Sequence, residues 1–584
     1  MKKSNYDKYP YIEISANTNQ VCDGWDAIHE KINVAITQSA KVKSVIVIEC
    51  YQGIDRNELK SSLQKGIQYT KWVDAESAWK SEQEIIDMVY PFVTDDVIFG
   101  YMTNLTMSDY FDSEKLTTLR SEVDQVEQGV IVLFGHGASL VSEHIDLLLY
   151  ADMARWEIQL RMRKNEVTNL GLQNPKASFS EQYKRGYFVD WRVCDQLKRQ
   201  LMNKWDFVLD TNKKWSPKMI EGKLLRTALT AAANRPFRVV PFFDPGPWGG
   251  QWLKKNFELD PSAVNYAWGF DCVPEENSLL IKCNDIIVEV PSINVVFHEP
   301  ASLLGEKVFN QFGAEFPIRF DFLDTIEGGN LSLQVHPMTA YIKEKFGMDY
   351  TQDESYYMLD ALPGAFVYLG LRDDVIPENM VAELNEAQKV GGRFDAEKHV
   401  AKWPLKKHDH FSIPAGTVHC SGANALVLEI SATPYIFTFK LWDWDRLGLD
   451  GKPRPINIAH GEKNIQWERN ATWVEKNKLN LLDVLHDEEG IREERTGLHE
   501  SEFIETRRHW FTKKVSHHTQ GGVNVLNLVS GDEAIVESPS AAFEPFVVHY
   551  AETFIIPAAV GEYTIRPYGE SLGKECATIK AYIR

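Results

Sequence analysis

The chain has 584 residues, of which 44% are hydrophobic and 25% charged, with a formal net charge of −20 and a pI near 5.3. This length predicts two to four globular domains. The acidic balance argues against a nucleic-acid partner, which would require clustered basic surface. No apolar run is long enough to span a bilayer and no secretory signal is present, so we expect a cytoplasmic protein without a membrane partner. The seven scattered cysteines, which lack any CxxC spacing, fit reduced thiols.

Residues 1–235 alternate short apolar strands with helical segments, a pattern typical of a parallel sheet covered by helices. The predicted strands are 44–49, 130–134, 147–150 and 206–210, and the predicted helices are 57–65, 151–164 and 190–204. We therefore predict an α/β domain over residues 1–235.

This α/β domain lacks the elements of a nucleotide site. Its first strong strand leads into Glu49-Cys-Tyr-Gln-Gly-Ile-Asp-Arg56, and no GxxxxGK[ST] sequence occurs. Gly135-His-Gly137 could be a small-anion loop, but a single GxG is weak and a plain turn is favoured. The layout from Val130 to Lys164 resembles the later part of uridine-kinase-like P-loop proteins. That resemblance implies a degenerate kinase-like domain used for scaffolding, oligomerisation or regulation, with the oligomeric state left open.

From residue 236 the strands become short and turn residues frequent, which predicts an all-β architecture. An internal repeat supports this prediction, since Phe411–His419 aligns without gaps with Phe554–Glu562, and Glu562 stands where the first copy has His419. We predict two related barrels, at 236–460 and 511–584, of which only the first can bind metal. The charged segment 461–510 has a helical pattern, as in Asn480–Leu485, and is predicted to be a helical insertion between them.

A candidate metal site lies in the first of these barrels. Gln334 and His336 are two residues apart in a strand pattern, so their side chains lie on one face. Glu354 begins an aromatic strand, and His419 follows a strand and a Pro/Gly corner. One amide oxygen, two imidazoles and one carboxylate suit a divalent transition metal, with zinc first. Ordinary hydrogen bonding is the alternative for an isolated Gln-x-His pair, but four ligand-type residues at strand starts favour the metal.

Two further histidines lie on the strand that leads towards His419. His408 and His410 flank Asp409 in the sequence. His410 could line the pocket, but a pair of turn and rim residues is the favoured interpretation.

Four sequence blocks match, in order, those of type I mannose-6-phosphate isomerase, a zinc enzyme of the cupin fold, in its short bacterial form. They are Leu331–Pro337, Asp353–Asp360, Ile413–His419 and Thr438–Arg446. Asp244–Gly250 resembles the opening strand of that family, and the resemblance covers residues 236–584. It implies a double cupin, or jelly-roll, with one zinc ion per chain. The implied reaction converts mannose 6-phosphate to fructose 6-phosphate, an aldose–ketose isomerisation of a hexose 6-phosphate through a cis-enediol.

Such an isomerisation moves a proton between C1 and C2 and needs a polarised oxygen, a base and an anion clamp. The resemblance implies that zinc polarises the oxygen, and that a zinc-bound water or a carboxylate acts as the base. Glu429 is the candidate carboxylate, and a purely structural role is an equally good interpretation. Lys440 is predicted to point into the barrel near the metal.

The chain departs from the family pattern at basic positions. Gln352 replaces a lysine and Lys440 replaces an arginine, while Met338 and Thr339 stand where longer members have a lysine. Three hypotheses follow. The first is a zinc-dependent sugar-phosphate isomerase, and the second is a non-catalytic, metal-containing sugar-phosphate sensor. The third, a carbohydrate kinase with a regulatory cupin half, is disfavoured by the absent Walker lysine.

Overall fold

The computed structural model describes residues 4–17, 19–39, 41–389, 392–432, 437–449, 451–497 and 502–584. They form two compact units. The smaller contains Tyr11–Ala232 and Glu276–Glu299, and the larger contains Met1–Pro10, Ala233–Glu275 and Pro300–Arg584. The first unit therefore does not coincide with the predicted domain 1–235.

The strands up to residue 291 can be numbered in chain order. They are β1 (Tyr11–Glu13), β2 (Val21–Asp23), β3 (Lys43–Cys50), β4 (Lys71–Asp74), β5 (Gly129–Gly135), β6 (Leu147–Asp152), β7 (Phe207–Asp210), β8 (Lys218–Glu221), β9 (Phe242–Asp244), β10 (Trp268–Cys272), β11 (Ser278–Cys283) and β12 (Ile286–Pro291). Strands β9 and β10 belong to the larger unit. The hairpin β11–β12 joins the smaller unit because β11 pairs in parallel with β1.

The main sheet of the smaller unit has the order β2-β8-β7-β6-β3-β5-β4. Strands β4, β5, β3, β6 and β7 are parallel, while β8 and β2 are antiparallel. The centre of β3, Val45-Ile-Val-Ile48, is a continuous run of apolar residues because side chains on both faces of the sheet are buried there. The predicted parallel sheet is therefore present.

The helices of the smaller unit lie between and after the strands of this sheet in chain order. They are Trp25–Ser39, Arg56–Gly66, Glu82–Val93, Ser113–Asp124, Arg155–Arg163, Phe179–Arg185, Trp191–Leu201, Gly222–Ala232 and Ile293–His298. The helix after β3 is capped by the Asp55 side chain, which accepts the backbone N–H of Glu58 at 3.1 Å.

The larger unit contains two barrels, each made of two antiparallel sheets. The first barrel uses β9 and β10 together with β13 (Arg319–Asp324), β14 (Leu333–Val335), β15 (Glu354–Ala361), β16 (Phe366–Leu371), β17 (Val400–Pro404), β18 (His410–Ile413), β19 (His419–Ser421), β20 (Ala425–Ser431) and β21 (Phe439–Trp442). Its sheets have the orders β18-β15-β20-β13-β10-β9 and β17-β16-β19-β14-β21.

The second barrel is built from the strands that follow. They are β22 (Leu482–Glu488), β23 (Ile491–Thr496), β24 (Ile504–Phe511), β25 (Val515–His518), β26 (Asn524–Ser530), β27 (Glu533–Glu537), β28 (Phe546–His549), β29 (Thr553–Ile556), β30 (Glu562–Pro567) and β31 (Cys576–Ile583). Its sheets have the orders β29-β26-β31-β24-β23-β22 and β28-β27-β30-β25. An apolar cluster that includes Leu526, Val536, Tyr563 and Ile565 draws side chains from both sheets.

The two barrels share one topology, because each strand of the second occupies the sheet position of a strand in the first, and only β21 has no counterpart. The predicted repeat places Phe411 in β18 and Phe554 in the equivalent strand β29. After the turn the correspondence shifts by one residue. Glu562 is exposed, and the inward-facing side chain is Tyr563, which lies in the apolar cluster.

The segment 461–510 is not the predicted helical insertion. It contains the helix Ala471–Asn477, but Leu482–Glu488, which overlaps the predicted helical segment Asn480–Leu485, is a strand of the second barrel. Leucine and valine at helical spacing misled the prediction, because every side chain of this edge strand is exposed and its pairing with β23 decides the conformation. The second barrel therefore begins well before the predicted residue 511.

The helices of the larger unit are short. They are Trp252–Asn256, Pro300–Leu304, Glu306–Phe312, Thr339–Phe346, Pro377–Ala387, Ala396–His399, Ile458–Glu462 and Ala471–Asn477. None of the helices in the described parts of the chain has the length and apolar character needed to cross a bilayer. All seven cysteines are buried and unpaired.

Candidate metal centre

The four predicted ligands meet inside the first barrel. Gln334 lies in β14, and His336 is the first residue after that strand. His419 begins the neighbouring strand β19, and Glu354 begins β15 in the facing sheet. All four side chains are buried, with at most 9% of the residue exposed. The barrel thus brings together residues that are up to 85 positions apart in the chain.

The distances within this group suit a single ion. Glu354 Oε2 lies 3.2 Å from His336 Nε2, and Glu354 Oε1 lies 2.8 Å from His419 Nε2. Gln334 Nε2 lies 3.1 Å from His419 Nε2. Ligand atoms about 2 Å from one zinc ion at tetrahedral angles are roughly 3.3 Å apart. Because a half-turn of the Gln334 amide exchanges its nitrogen and oxygen, this side chain can present an oxygen to the same centre.

Backbone carbonyls orient both imidazoles towards the centre. His336 donates its Nδ1–H to the Phe437 carbonyl at 2.7 Å, and His419 donates its Nδ1–H to the Thr417 carbonyl at 2.8 Å. The Nε2 lone pairs therefore point at Glu354, as in metal-binding histidines whose other nitrogen is held by an outer partner. His336 Nε2 and Glu354 Oε1 are buried without a hydrogen-bond partner. Such orphaned atoms cost about 1–3 kcal/mol each, and a bound cation would satisfy both.

The charges of these groups also fit a cation. Burial by itself would raise the pKa of Glu354, but the two neighbouring imidazoles outweigh it and hold the pKa well below the usual range. Glu354 is therefore an anionic carboxylate, the form in which it can ligate a metal.

Gln352 links this centre to Glu429. Its amide nitrogen donates to Glu354 Oε2 at 3.0 Å and to Glu429 Oε1 at 3.2 Å, and its oxygen accepts the N–H of Phe437 at 3.0 Å. Burial, and then the charge of Glu354, raise the pKa of Glu429 well above its ordinary value. From the sequence, Gln352 was interpreted only as the replacement of a lysine in the family pattern. Its position two residues before Glu354, on the same strand face, was the available signal.

Lys440 also lies beside the site. It stands directly opposite Gln334 in the ladder between β14 and β21, so the two side chains project from the same face. Burial, followed by the charge of Arg454, lowers the pKa of Lys440 to about 7. The geometry is consistent with the predicted placement of this lysine near the centre.

His410 does not belong to the site. It pairs with Tyr357 across the ladder, on the strand face opposite to that of Glu354, and its Nε2 lies 2.9 Å from the Ser355 hydroxyl. The favoured interpretation, that it does not line the pocket, agrees with this position, but His410 is buried rather than at a rim.

Burial, and then Arg508, lower the pKa of His410 from 6.5 to about 3. As the pH falls below the pKa of this histidine in the unfolded chain, the unfolded chain binds a proton that the folded chain excludes. The free energy of unfolding therefore falls. The loss at about pH 5 is roughly 2 kcal/mol. His410→Gln should reduce the drop in unfolding free energy between neutral pH and about pH 5 by this amount, measured by urea unfolding. The exposed His486→Gln is the control, and an unchanged pH dependence in His410→Gln would contradict the prediction.

The Gly135–Gly137 loop of the smaller unit is closed by the chain's own carboxylate. The buried Glu49 accepts the N–H groups of Gly137 at 2.6 Å and Ser139 at 2.8 Å. These amides, which an anion would need, are therefore already satisfied. The favoured interpretation of a plain turn agrees with this geometry.

Comparison with known families matches residues 24–234 to "Domain of unknown function (DUF8485)". The match covers most of the smaller unit's main segment and none of the metal centre.

Comparison with curated proteins relates part of the chain to mannose-6-phosphate isomerases. The enzyme of Streptococcus mutans serotype c is 28% identical over 213 residues, which are 36% of this chain and 61% of that protein, so the chain spans less than two thirds of its length. Mannose-6-phosphate isomerase ManA of Bacillus subtilis is 22% identical over 340 residues, 58% of this chain and 98% of that protein. Among solved structures, the mannose 6-phosphate isomerase of Bacillus subtilis covers 60% of this chain and 100% of its own, with 19% identity and a TM-score of 0.48.

Proposed function

We propose that this protein is a zinc-dependent isomerase that interconverts an aldose and a ketose 6-phosphate, with mannose 6-phosphate and fructose 6-phosphate as the pair. The observation that carries the proposal is the buried convergence of His336, Glu354 and His419, whose ligand atoms lie within 4.8 Å of one another. The names of the curated relatives support the same reaction class.

In this proposal the residues of the centre have separate roles in the isomerisation. Zinc held by Gln334, His336, Glu354 and His419 would act as a Lewis acid that polarises the oxygens on C1 and C2 of the sugar. Glu429 would move the proton between C1 and C2, because a buried carboxyl with a raised pKa can both accept and return a proton. Gln352 holds Glu429 beside Glu354 through the two hydrogen bonds of its amide.

Lys440 would supply positive charge for the phosphate or for the developing enediolate. This role is supported by its pairing with Gln334 across the ladder, on the face that carries the centre. A lysine gives a point charge without the two-pronged geometry of the family's arginine, so we expect weaker substrate binding rather than loss of the reaction.

The direct test is to incubate the full-length, zinc-loaded protein with mannose 6-phosphate and measure fructose 6-phosphate. Turnover supports the isomerase. Saturable binding of mannose 6-phosphate without turnover would instead support the sensor, for which the neutral Gln352 in place of the family's lysine is the motivating observation.

Two substitutions separate the proposed roles. Glu429→Gln should lower kcat roughly 100-fold if the carboxyl transfers the proton, with KM little changed. Lys440→Met should raise KM for mannose 6-phosphate about 10-fold or more, because a charged hydrogen bond is lost. The exposed Glu544→Gln is the control for the first substitution. A wild-type kcat in Glu429→Gln would assign Glu429 the structural role.

A further inference from the structure

The second barrel places different side chains at the positions that form the centre of the first. Glu354 begins β15, and Asn524 begins the equivalent strand β26. Two residues after Glu354, Tyr356 pairs with Glu429 across the ladder. Two residues after Asn524, Leu526 pairs with Lys580. The register thus equates Glu354 with Asn524 and Glu429 with Lys580.

The same ladders extend one strand further. Asp321 pairs with Glu429 in the first barrel, and Arg507 pairs with Lys580 in the second. Where the first barrel has three carboxylates, the second therefore has an amide, an ammonium and a guanidinium. At these three positions the first set suits a cation and the second suits an anion.

A cavity of about 520 Å³ is present at this position in the second barrel. Lys580 and His517 line it. Lys580 pairs directly with Leu526, and His517 pairs directly with Tyr563. Because Leu526 and Tyr563 belong to the barrel's apolar cluster, both polar side chains face the interior.

These two polar side chains are buried without the partners they require. Lys580 is 7% exposed, and no carboxylate of the described residues lies within ion-pair distance of its ammonium, which lies 5.5 Å from the centroid of the Tyr582 ring. His517 is 5% exposed, and neither of its ring nitrogens has a hydrogen-bond partner. Buried groups in this state are unfavourable unless a ligand completes them.

A second imidazole adjoins His517. His509 lies with its ring centroid 4.5 Å from that of His517, and its Nδ1 is buried without a partner. Its Nε2 is 3.3 Å from Glu493. His509 and Lys580 occupy neighbouring strands of one sheet, while His517 comes from the facing sheet, so the three groups approach the cavity from different directions.

The acidic residues of the cavity are already engaged or lie in solvent. Glu493 pairs with Arg507 at 2.8 Å, and Glu505 pairs with Arg507 at 2.7 Å and accepts the Tyr582 hydroxyl at 2.7 Å. Glu562 is exposed. Both carboxylates are therefore engaged by Arg507, and neither lies within ion-pair distance of the Lys580 ammonium.

We propose that this cavity of the second barrel binds a phosphate group, carried by inorganic phosphate or by a phosphate monoester. Lys580, His517 and His509 supply donors from three strands, and a tetrahedral phosphate can accept from several directions, whereas a carboxylate presents two oxygens in one plane. Burial lowers the pKa of Lys580 to about 8 and that of His517 well below its usual value. A bound anion would offset this cost of burying charge.

The test is calorimetric titration of the full-length protein with inorganic phosphate and, separately, with mannose 6-phosphate. We expect saturable binding of at least one probe, weakened about 10-fold or more by Lys580→Met. Lys514→Met, on the surface of the same barrel, is the matched control and should bind as the wild type does. His336→Ala, which disrupts the first barrel's centre, should retain this binding.

Each outcome decides the proposal. Phosphate binding that Lys580→Met weakens identifies the free ion as sufficient. Binding of only the sugar phosphate, weakened by Lys580→Met and retained in His336→Ala, identifies an ester. No binding of either probe up to about 10 mM, or binding that Lys580→Met leaves unchanged, would overturn it. Lys580→Met removes a buried charge that has no ion-pair partner among the described residues, so thermal melting should show a folded protein; Lys580→Arg should restore binding, and His517→Gln should weaken it. Isomerase activity in Lys580→Met should equal that of the wild type, which separates this proposal from the function of the first barrel.

Discussion

Replacing His336 or His419 with alanine should remove the bound zinc and lower isomerase activity at least about 1,000-fold. Each substitution deletes one nitrogen from a group in which both imidazoles face the Glu354 carboxylate at 3.2 Å or less. It also removes one of the two imidazoles that face that buried carboxylate. A zinc site built on side chains of the protein holds the metal weakly once a ligand is lost.

The measurement is the number of zinc ions per chain, by elemental analysis after dialysis, together with the rate of fructose 6-phosphate formation. His486→Ala removes an exposed histidine and should leave both values unchanged. One zinc ion per chain in both His336→Ala and His419→Ala would refute the ligand set, and with it the proposed enzyme.

Replacing Arg238 with alanine should lower the free energy of unfolding of the larger unit by about 3–5 kcal/mol. Arg238 is 4% exposed and forms ion pairs with Glu552 at 2.7 Å and Asp271 at 3.4 Å. Asp271 also accepts the hydroxyl of Tyr6 and the N–H of Thr553. The substitution would remove the cation that Asp271 and Glu552 share, while Glu552 keeps its contact with His549 Nδ1 at 3.1 Å. The loss of an ion-pair partner from a buried carboxylate accounts for the large penalty.

This prediction can be checked by urea unfolding followed through tryptophan fluorescence. The control is Arg566→Ala, which breaks a partly exposed ion pair with Glu537 on the second barrel and should cost less than about 1 kcal/mol. Equal effects of the two substitutions would show that the Arg238 network does not stabilise the unit.

The candidate site could be predicted to the extent that it depends on local strand geometry. Gln334 and His336 share a face because side chains alternate along a strand, and Glu354 and His419 were recognisable as ligand types at strand starts. The carbonyls of Phe437 and Thr417, which orient the imidazoles, were not predictable. Any backbone oxygen can play that role, and only the fold selects which one is near.

The fold was predicted less evenly. The apolar runs of the smaller unit indicated a parallel sheet, because strands buried on both faces have nearly continuous hydrophobic sequences. The strand Leu482–Glu488 was wrongly predicted as helix, because an exposed edge strand lacks a continuous hydrophobic sequence. The hairpin Ser278–Pro291 was assigned to the wrong unit, since its pairing with Tyr11–Glu13 joins segments more than 260 residues apart.

The amino-acid sequence by itself determined which side chains alternate on which strand face, and therefore which residues were able to bind a metal. Only the tertiary structure decided that Gln352 contacts both Glu354 and Glu429, and that Lys580 occupies in the second barrel the position of Glu429 in the first. The physical reason is that alternation along a strand is set by neighbouring residues, whereas the residue opposite each side chain is set by strand register and sheet packing between distant segments.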